Sequence, residues 1–305
     1  MKDVEKQSSK QRDLNTVFID GICDFKSESN DKSLVICADS LKVLSKIKDK
    51  SIDLIFADAP YNIGKDFGNN KDKWDSVKEY ICWCKKWIDE CMRVLTDSGT
   101  IYLMTATQHM PYLDVYVSEK YNVLCRIVWS YDSSGVQSKK MFGSLYEPIL
   151  MANKSSSSKY TFNASDILVE AKTGAKRKLI DYRKNPPQPY NTKKVPGNVW
   201  EFSRVRFRMD EYENHPTQKP EALLERIILA SSNVGDIILD PFSGSFTTSA
   251  VANKLGRKAI GIDLNEEYFE MGIRRTNISE IYNGKSLKKI KVRKTNAKSK
   301  HNRGE

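Results

Sequence analysis

Short, nearly continuous apolar blocks punctuate this chain at 34–37, 52–57, 100–104, 121–129, 147–152, 236–240 and 258–263. Blocks of this length, apolar on both faces and closed by turn residues, predict buried strands. Between most of them apolar residues recur at three- and four-residue spacing, which predicts helices. One helix opens at Ala38-Asp39-Ser40 and runs to Ile47. A second begins at the capping box Ser76-Val77-Lys78-Glu79 and runs to Leu95, with Thr96-Asp97-Ser98-Gly99 as its stop. Others are expected over 109–119, from Pro220 through the stripe Leu223, Leu224, Ile227 and Ile228, over 246–255, and over 266–277. Strands alternating with helices predict an α/β fold with a doubly wound, mainly parallel sheet. The stretch 155–214 breaks the alternation and reads as an insertion.

Two predicted strands end in turns that carry chemistry. After 52–57 comes Asp58-Ala59-Pro60-Tyr61-Asn62, and after 236–239 comes Asp240-Pro241-Phe242-Ser243-Gly244-Ser245-Phe246-Thr247-Thr248. In open α/β sheets, ligands sit at the carboxyl ends of such strands. A carboxylate with one neighbouring backbone carbonyl can accept both hydrogens of an exocyclic amine. That pair frees the nitrogen lone pair and stabilises the positive charge that grows as the nitrogen is alkylated. Asp58 and the carbonyl of Ala59 are such a pair, and Tyr61 offers a face on which a base can stack. Aspartate and proline are also ordinary turn formers, so the tetrapeptide alone decides nothing. In the second segment Gly244 permits a close approach, and the helix start offers N–H groups to a carboxylate. Asp263 ends the next strand, where folds of this kind hold ribose hydroxyls.

Composition narrows the partners. The 305 residues carry a net charge of +11, which points to a polyanion. Between Glu170 and Arg208 eleven Lys or Arg face three acids, and from Lys285 to Glu305 nine face one. The tail reads as a solvated basic end. In the central block Tyr182, Tyr190, Trp200, Phe202 and Phe207 interleave with the charges, a composition suited to phosphates and bases. Lys176, Arg177, Lys178, Arg183, Lys193, Lys194, Arg204 and Arg206 are the candidate DNA contacts. Six cysteines without CxxC pairing and three histidines argue against a metal site and for reduced thiols. No run of 18 apolar residues exists and the first 14 residues are polar, so a cytoplasmic protein with no membrane partner is expected.

Together the motifs resemble the β-class DNA amino-methyltransferases that use S-adenosyl-L-methionine. Asp58-Ala59-Pro60-Tyr61 is similar to that family's (D/N/S)-P-P-(Y/F/W) catalytic motif, and 240–248 to its D-P-F-x-G-S-G-T-T cofactor motif. Thr217-Gln218-Lys219-Pro220 is similar to its T-x-K-P segment. Catalytic motif, recognition region and then cofactor motif is the β-class, circularly permuted order. Asp58 in first place, with 128–131 and 185–190, makes the chain most similar to the YhdJ-like adenine N6 enzymes. The resemblance implies a Rossmann-like methyltransferase sheet. Its catalytic half would span 33–154 and its cofactor half 215–280, around a target-recognition region at 155–214. An extension at 1–32 and a tail at 281–305 flank them. It further implies cofactor contacts from Ala38, Asp39, Lys219, Asp240, Phe242, Ser243, Gly244, Ser245, Thr247, Asp263 and Leu264, with Lys219 and Asp240 at the methionine end. Double-stranded DNA is the implied partner, with a homodimer and a cognate restriction endonuclease left open. Two positions depart from the pattern. Ala59 replaces a proline and Phe246 replaces a glycine. Ala59 keeps open a non-catalytic DNA-binding homologue, beside a cytosine N4 enzyme.

Overall fold

The computed structural model describes residues 12–20, 22, 24–67, 72–132, 139–172 and 178–278. The polar loop tip at 68–71, the basic tail and two candidate DNA contacts, Lys176 and Arg177, lie outside the described residues. The first half of the chain supplies β1 (Lys26–Ser29), β2 (Ser33–Cys37), α1 (Ser40–Leu44), β3 (Ile52–Asp58), α2 (Val77–Val94), β4 (Leu95–Met104), α3 (Met110–Lys120), β5 (Asn122–Ser130) and β6 (Tyr146–Asn153). Four two-residue strands follow: β7 (Val169–Glu170), β8 (Ile180–Asp181), β9 (Gln188–Pro189) and β10 (Lys193–Lys194). The chain then returns through β11 (Val199–Glu201), α4 (Glu221–Ser231), β12 (Ile237–Asp240), α5 (Thr247–Lys254), β13 (Lys258–Asp263) and α6 (Glu266–Arg275).

Among the described residues one nine-stranded sheet runs in the order β1-β2-β13-β12-β3-β4-β6-β5-β11. Its centre, from β2 to β4, is parallel throughout. The β6 strand is antiparallel to both its neighbours. Strand side chains alternate between two cores. Ile55, Ala57, Ile101, Leu103, Leu239 and Ile260 face α1, α2 and α3, while Leu54, Phe56, Tyr102, Met104 and Ile238 face α4 and α5. This is the doubly wound arrangement that the apolar blocks predicted. No helix among the described residues is long and apolar enough to cross a membrane.

Local chemistry sets the helix ends. The Ser76 hydroxyl accepts from the Glu79 N–H at 3.2 Å, as the capping box predicted, and Arg93 sits in the last turn of α2. Asp39 caps α1 by accepting from the Lys42 N–H.

Two expectations are corrected and one strand was not foreseen. Residues 96–99, expected as the turn that stops α2, belong to β4, because Leu95 already pairs with Ile52 and the register then shifts to Leu54–Thr100. The polar β1 carries no apolar signal, being an exposed edge strand paired only to β2. Trp200 is not a base-facing aromatic. It is 7% exposed in the second core because β11 pairs in parallel with β5, and Phe202 packs beside it.

Phe246 shows how the chain accommodates a bulky side chain where the motif it resembles has glycine. Its backbone is left-handed, at φ 55°, and its ring is fully buried beside Val35, Tyr268 and Phe269. A Cβ on Gly261 would come within 2.6 Å of that ring and one on Gly272 within 2.8 Å. The ring therefore occupies space that two glycines leave. Gly272→Ala should cost about 1–3 kcal/mol in the wild-type background. In a Phe246→Gly background, urea titrations should show most of that cost gone. Strictly additive costs would contradict the packing relation.

Candidate active site

Three acids end three neighbouring parallel strands: Asp263 on β13, Asp240 on β12 and Asp58 on β3. The last two neighbours are 182 residues apart in the chain. Glu147 joins them from β6, whose antiparallel direction brings its first turn to the same edge of the sheet. A cavity of about 390 Å³ opens along this edge. Asp58, Ala59, Pro60 and Tyr61 line one end, and Asp39, Asp240, Phe242, Ser243, Gly244, Ser245, Thr247, Asp263 and Leu264 line the other, with Lys219 between them. Ala38 is the exception among the expected cofactor contacts. It is not part of the lining, because its N–H continues the backbone pairing with the Asp263 carbonyl at 3.0 Å.

At the first end the side chains form a closed polar group. Lys219 Nζ donates to Asp58 Oδ2 at 2.5 Å and lies 3.5 Å from Glu147 Oε2. The Tyr61 hydroxyl lies 2.7 Å from Asp58 Oδ1 and 2.9 Å from Glu147 Oε2. Thus Lys219, expected at the methionine end, brings its ammonium to Asp58. Burial works to lower the Lys219 pKa, but the two carboxylates outweigh it and hold the ammonium above its ordinary value. Two acids share this one cation. Burial first, and then the charge of Glu147, raise the carboxyl of Asp58 against the pull of Lys219.

The loop after Asp58 is fixed by another acid. Asp72 accepts the N–H of Tyr61 at 3.1 Å and of Ile63 at 2.9 Å, while Asn62 accepts the N–H of Trp74. The Pro60 carbonyl accepts from the Tyr80 hydroxyl at 2.8 Å. These bonds hold the turn that a proline at position 59 would otherwise stiffen. Ala59 itself is buried.

At the second end Asp240 accepts from the Thr248 hydroxyl at 2.5 Å and the Phe242 N–H at 3.1 Å. Asp263 accepts the N–H of Gly244 and of Asn265, both at 2.8 Å, which ties the glycine turn to β13. Burial pushes Asp240 up to about 7 and Asp263 up to about 6. The His215 ring packs against Gly244, and burial pulls it down to about 3, so it stays neutral. Trp74, Trp83, Phe242 and Tyr268 supply aromatic walls. Acids facing a cavity with aromatic walls suit a cationic, ring-bearing ligand.

The described members of the basic block have different local partners. Arg183 is held by Asp181 at 2.8 Å, and Lys193 and Lys194 lie exposed on β10, paired with β7. Lys178 is exposed in a turn. Arg204 stacks over the Tyr131 ring at 5.0 Å, and Arg206 donates to the Asp132 carbonyl. Through Tyr131, which lies against Glu147, Arg204 adjoins the Asp58 group. Glu147, Tyr131, His215 and Asp72 were missed from sequence. An acid opening an otherwise apolar strand was the available signal for Glu147.

Residues 52–274 match the family model described as DNA methylase. The chain is 57% identical over 281 residues to the DNA adenine methyltransferase YhdJ of Escherichia coli (strain K12), covering 92% of this chain and 95% of that protein. It is 40% identical over 244 residues to the type II methyltransferase M.HpaI of Haemophilus parainfluenzae, covering 79% and 73%. A solved M1.HpyAVI–SAM complex shares the fold, with a TM-score of 0.53 at 24% identity over 78% of this chain and 97% of that one.

The raised Asp240 has a thermal consequence. Its folded-state value near 7 exceeds the ordinary 3.8. Its contribution to stability is therefore full below about pH 4 and is lost as pH rises through 7. Asp240→Asn cannot ionise and escapes that loss. Its melting temperature relative to wild type should climb between about pH 4 and pH 7 and then level. A difference that does not change with pH would contradict the assignment.

Proposed function

The chain belongs to the N6/N4 DNA methylase family, and on that premise we propose that it methylates the N6 amino group of adenine at a specific site in double-stranded DNA. The methyl donor is S-adenosyl-L-methionine, which supplies an electrophilic methyl group on a sulfonium. The observation that carries this reading is the single cavity joining the Asp58 end to the Asp240 and Asp263 end. An amine held at one end lies within the same enclosure as a donor held at the other.

Each half has residues suited to its ligand. Asp263 would take the ribose hydroxyls, giving up bonds to Gly244 and Asn265 as it does so. Asp240 with Ser243, Gly244, Ser245 and Thr247 would meet the methionine end, and Phe242 and Trp83 would flank the purine. Lys219 stands between the two halves. Asp58 and the Ala59 carbonyl would accept the amino hydrogens, and Tyr61 would stack on the base. Adenine N6 is out of reach inside a duplex, so the nucleotide must be turned out of the helix. Arg204, Arg206, Lys178, Lys193 and Lys194, with Lys176, Arg177 and Arg183, would grip the surrounding phosphates. Asp58 in first place, together with the similarity to a protein named DNA adenine methyltransferase, favours adenine over cytosine. The kinship with M.HpaI makes a cognate restriction endonuclease the protein partner to look for, and a second copy of this chain the other.

The decisive experiment incubates the protein with genomic DNA and labelled S-adenosyl-L-methionine, then digests the DNA to nucleosides. Label in N6-methyladenine is expected. Label in N4-methylcytosine would move the assignment to the other amine, and no label would leave a non-catalytic homologue.

Asp58→Ala should lower transfer at least about a hundredfold while donor affinity survives. Asp263→Ala should instead weaken donor binding by about 1–3 kcal/mol, through the loss of charge-assisted hydrogen bonds. Calorimetry on both folded variants checks the division of labour, which an inverted pattern would overturn.

A further inference from the structure

Asp58 meets a donor at each of its oxygens. Lys219 occupies Oδ2 and the Tyr61 hydroxyl occupies Oδ1. Each oxygen keeps a further lone pair, so the hydrogens of an incoming amine compete with those two donors for the carboxylate's charge. Both donors have a second acceptor already in reach, and it is the same atom. Glu147 Oε2 lies 2.9 Å from the Tyr61 hydroxyl and 3.5 Å from Lys219 Nζ. Tyrosine has one hydroxyl hydrogen, so at any moment it serves only one of the two acids. Glu147 is 15% exposed at its side chain and is seated at the start of β6, so it is fixed where both donors can turn to it.

We infer that Glu147 is a positioning residue: as the amine arrives, it takes over the Tyr61 hydroxyl and the Lys219 ammonium, leaving Asp58 to accept the amino hydrogens. The inference rests on the amine-methylation reading above. The proton balance then closes on Asp58. The amine nitrogen gains a methyl group through its lone pair, and the donor's carbon–sulfur pair stays on sulfur. The nitrogen gives up one proton to the Asp58 carboxylate. Glu147 does not touch the reacting atoms. It keeps Lys219 paired throughout, so no charge is left buried alone.

Glu147→Gln keeps the shape and an acceptor oxygen but loses the charge that competes with Asp58 for both donors. With saturating donor and a cognate duplex, its single-turnover rate should fall at least tenfold. Donor and DNA affinity should stay within about threefold, and 2-aminopurine fluorescence at the target should still report an unstacked base. The negative charge of Glu147 raises Asp58, so the acid limb of the rate profile should move to lower pH in the variant. Adding Tyr61→Phe removes the hydroxyl that would otherwise stay on Asp58, so the double variant should be faster than Glu147→Gln alone. A variant rate within twofold of wild type would overturn the inference. So would an unmoved acid limb, a loss confined to DNA affinity, or a double variant slower than the single. If wild type transfers no methyl group to DNA, the family-based reading falls first. If wild type transfers and Glu147→Gln matches it, only the role of Glu147 falls.

Discussion

One buried ammonium ties the ends of two strands of the sheet to the segment that leads into α4. Lys219 precedes α4, Asp58 ends β3 and Glu147 opens β6, and all three side chains are at most 15% exposed. Exposed ion pairs stabilise by little, but a buried charge that loses its partner costs about 3–5 kcal/mol. Loss of Lys219 would strand both acids at once. The cavity's first end inherits its shape from that constraint. The group also carries two acids against one base, so it is prepared to take up hydrogen-bond donors rather than to repel them. That imbalance suits a site whose ligand gains positive charge as it reacts.

The second constraint is topological. β3 and β12 are neighbours in the sheet, so the acid suited to an amine and the acids suited to a cationic nucleoside stand side by side. Neither half encloses the cavity alone. The helices α2 and α5 close it from opposite faces of the sheet, with Trp83 contributed by one and Thr247 by the other. Asp240 and Asp263 are both shifted towards the protonated form by burial and are held by backbone N–H donors from the turn. In folding terms these acids are costly, and a cationic ligand would offset the cost.

Most of the fold was legible because parallel strands are buried on both faces and announce themselves as apolar blocks. Asp58, Asp240 and Asp263 were legible for the same reason, since each is the first polar residue after such a block. Glu147 was not, because β6 runs antiparallel and delivers its chemistry from its first turn rather than its last. Trp200 was misread because a three-residue strand at the sheet edge is too short to show a period. Phe246 looked like an intrusion into the cofactor turn. Its ring leaves the cavity altogether, since two glycines far along the chain make room for it on the other side. Spacing within a segment reports local structure well, while pairing between distant segments is settled by packing that no single window contains.

The central claim is that an amine held by Asp58 and a donor held by Asp240 and Asp263 meet inside one cavity. A crystal structure with a cognate duplex and a non-reactive analogue of S-adenosyl-L-methionine measures this directly. The account predicts the target adenine turned out of the helix against Tyr61. Its N6 should lie about 2.7–3.2 Å from both an Asp58 carboxylate oxygen and the Ala59 carbonyl, and about 3–3.5 Å from the analogue atom that stands for the methyl carbon. An adenine still stacked in the duplex, or an Asp58 still closed onto Lys219 and Tyr61 with N6 beyond hydrogen-bond reach, would contradict it.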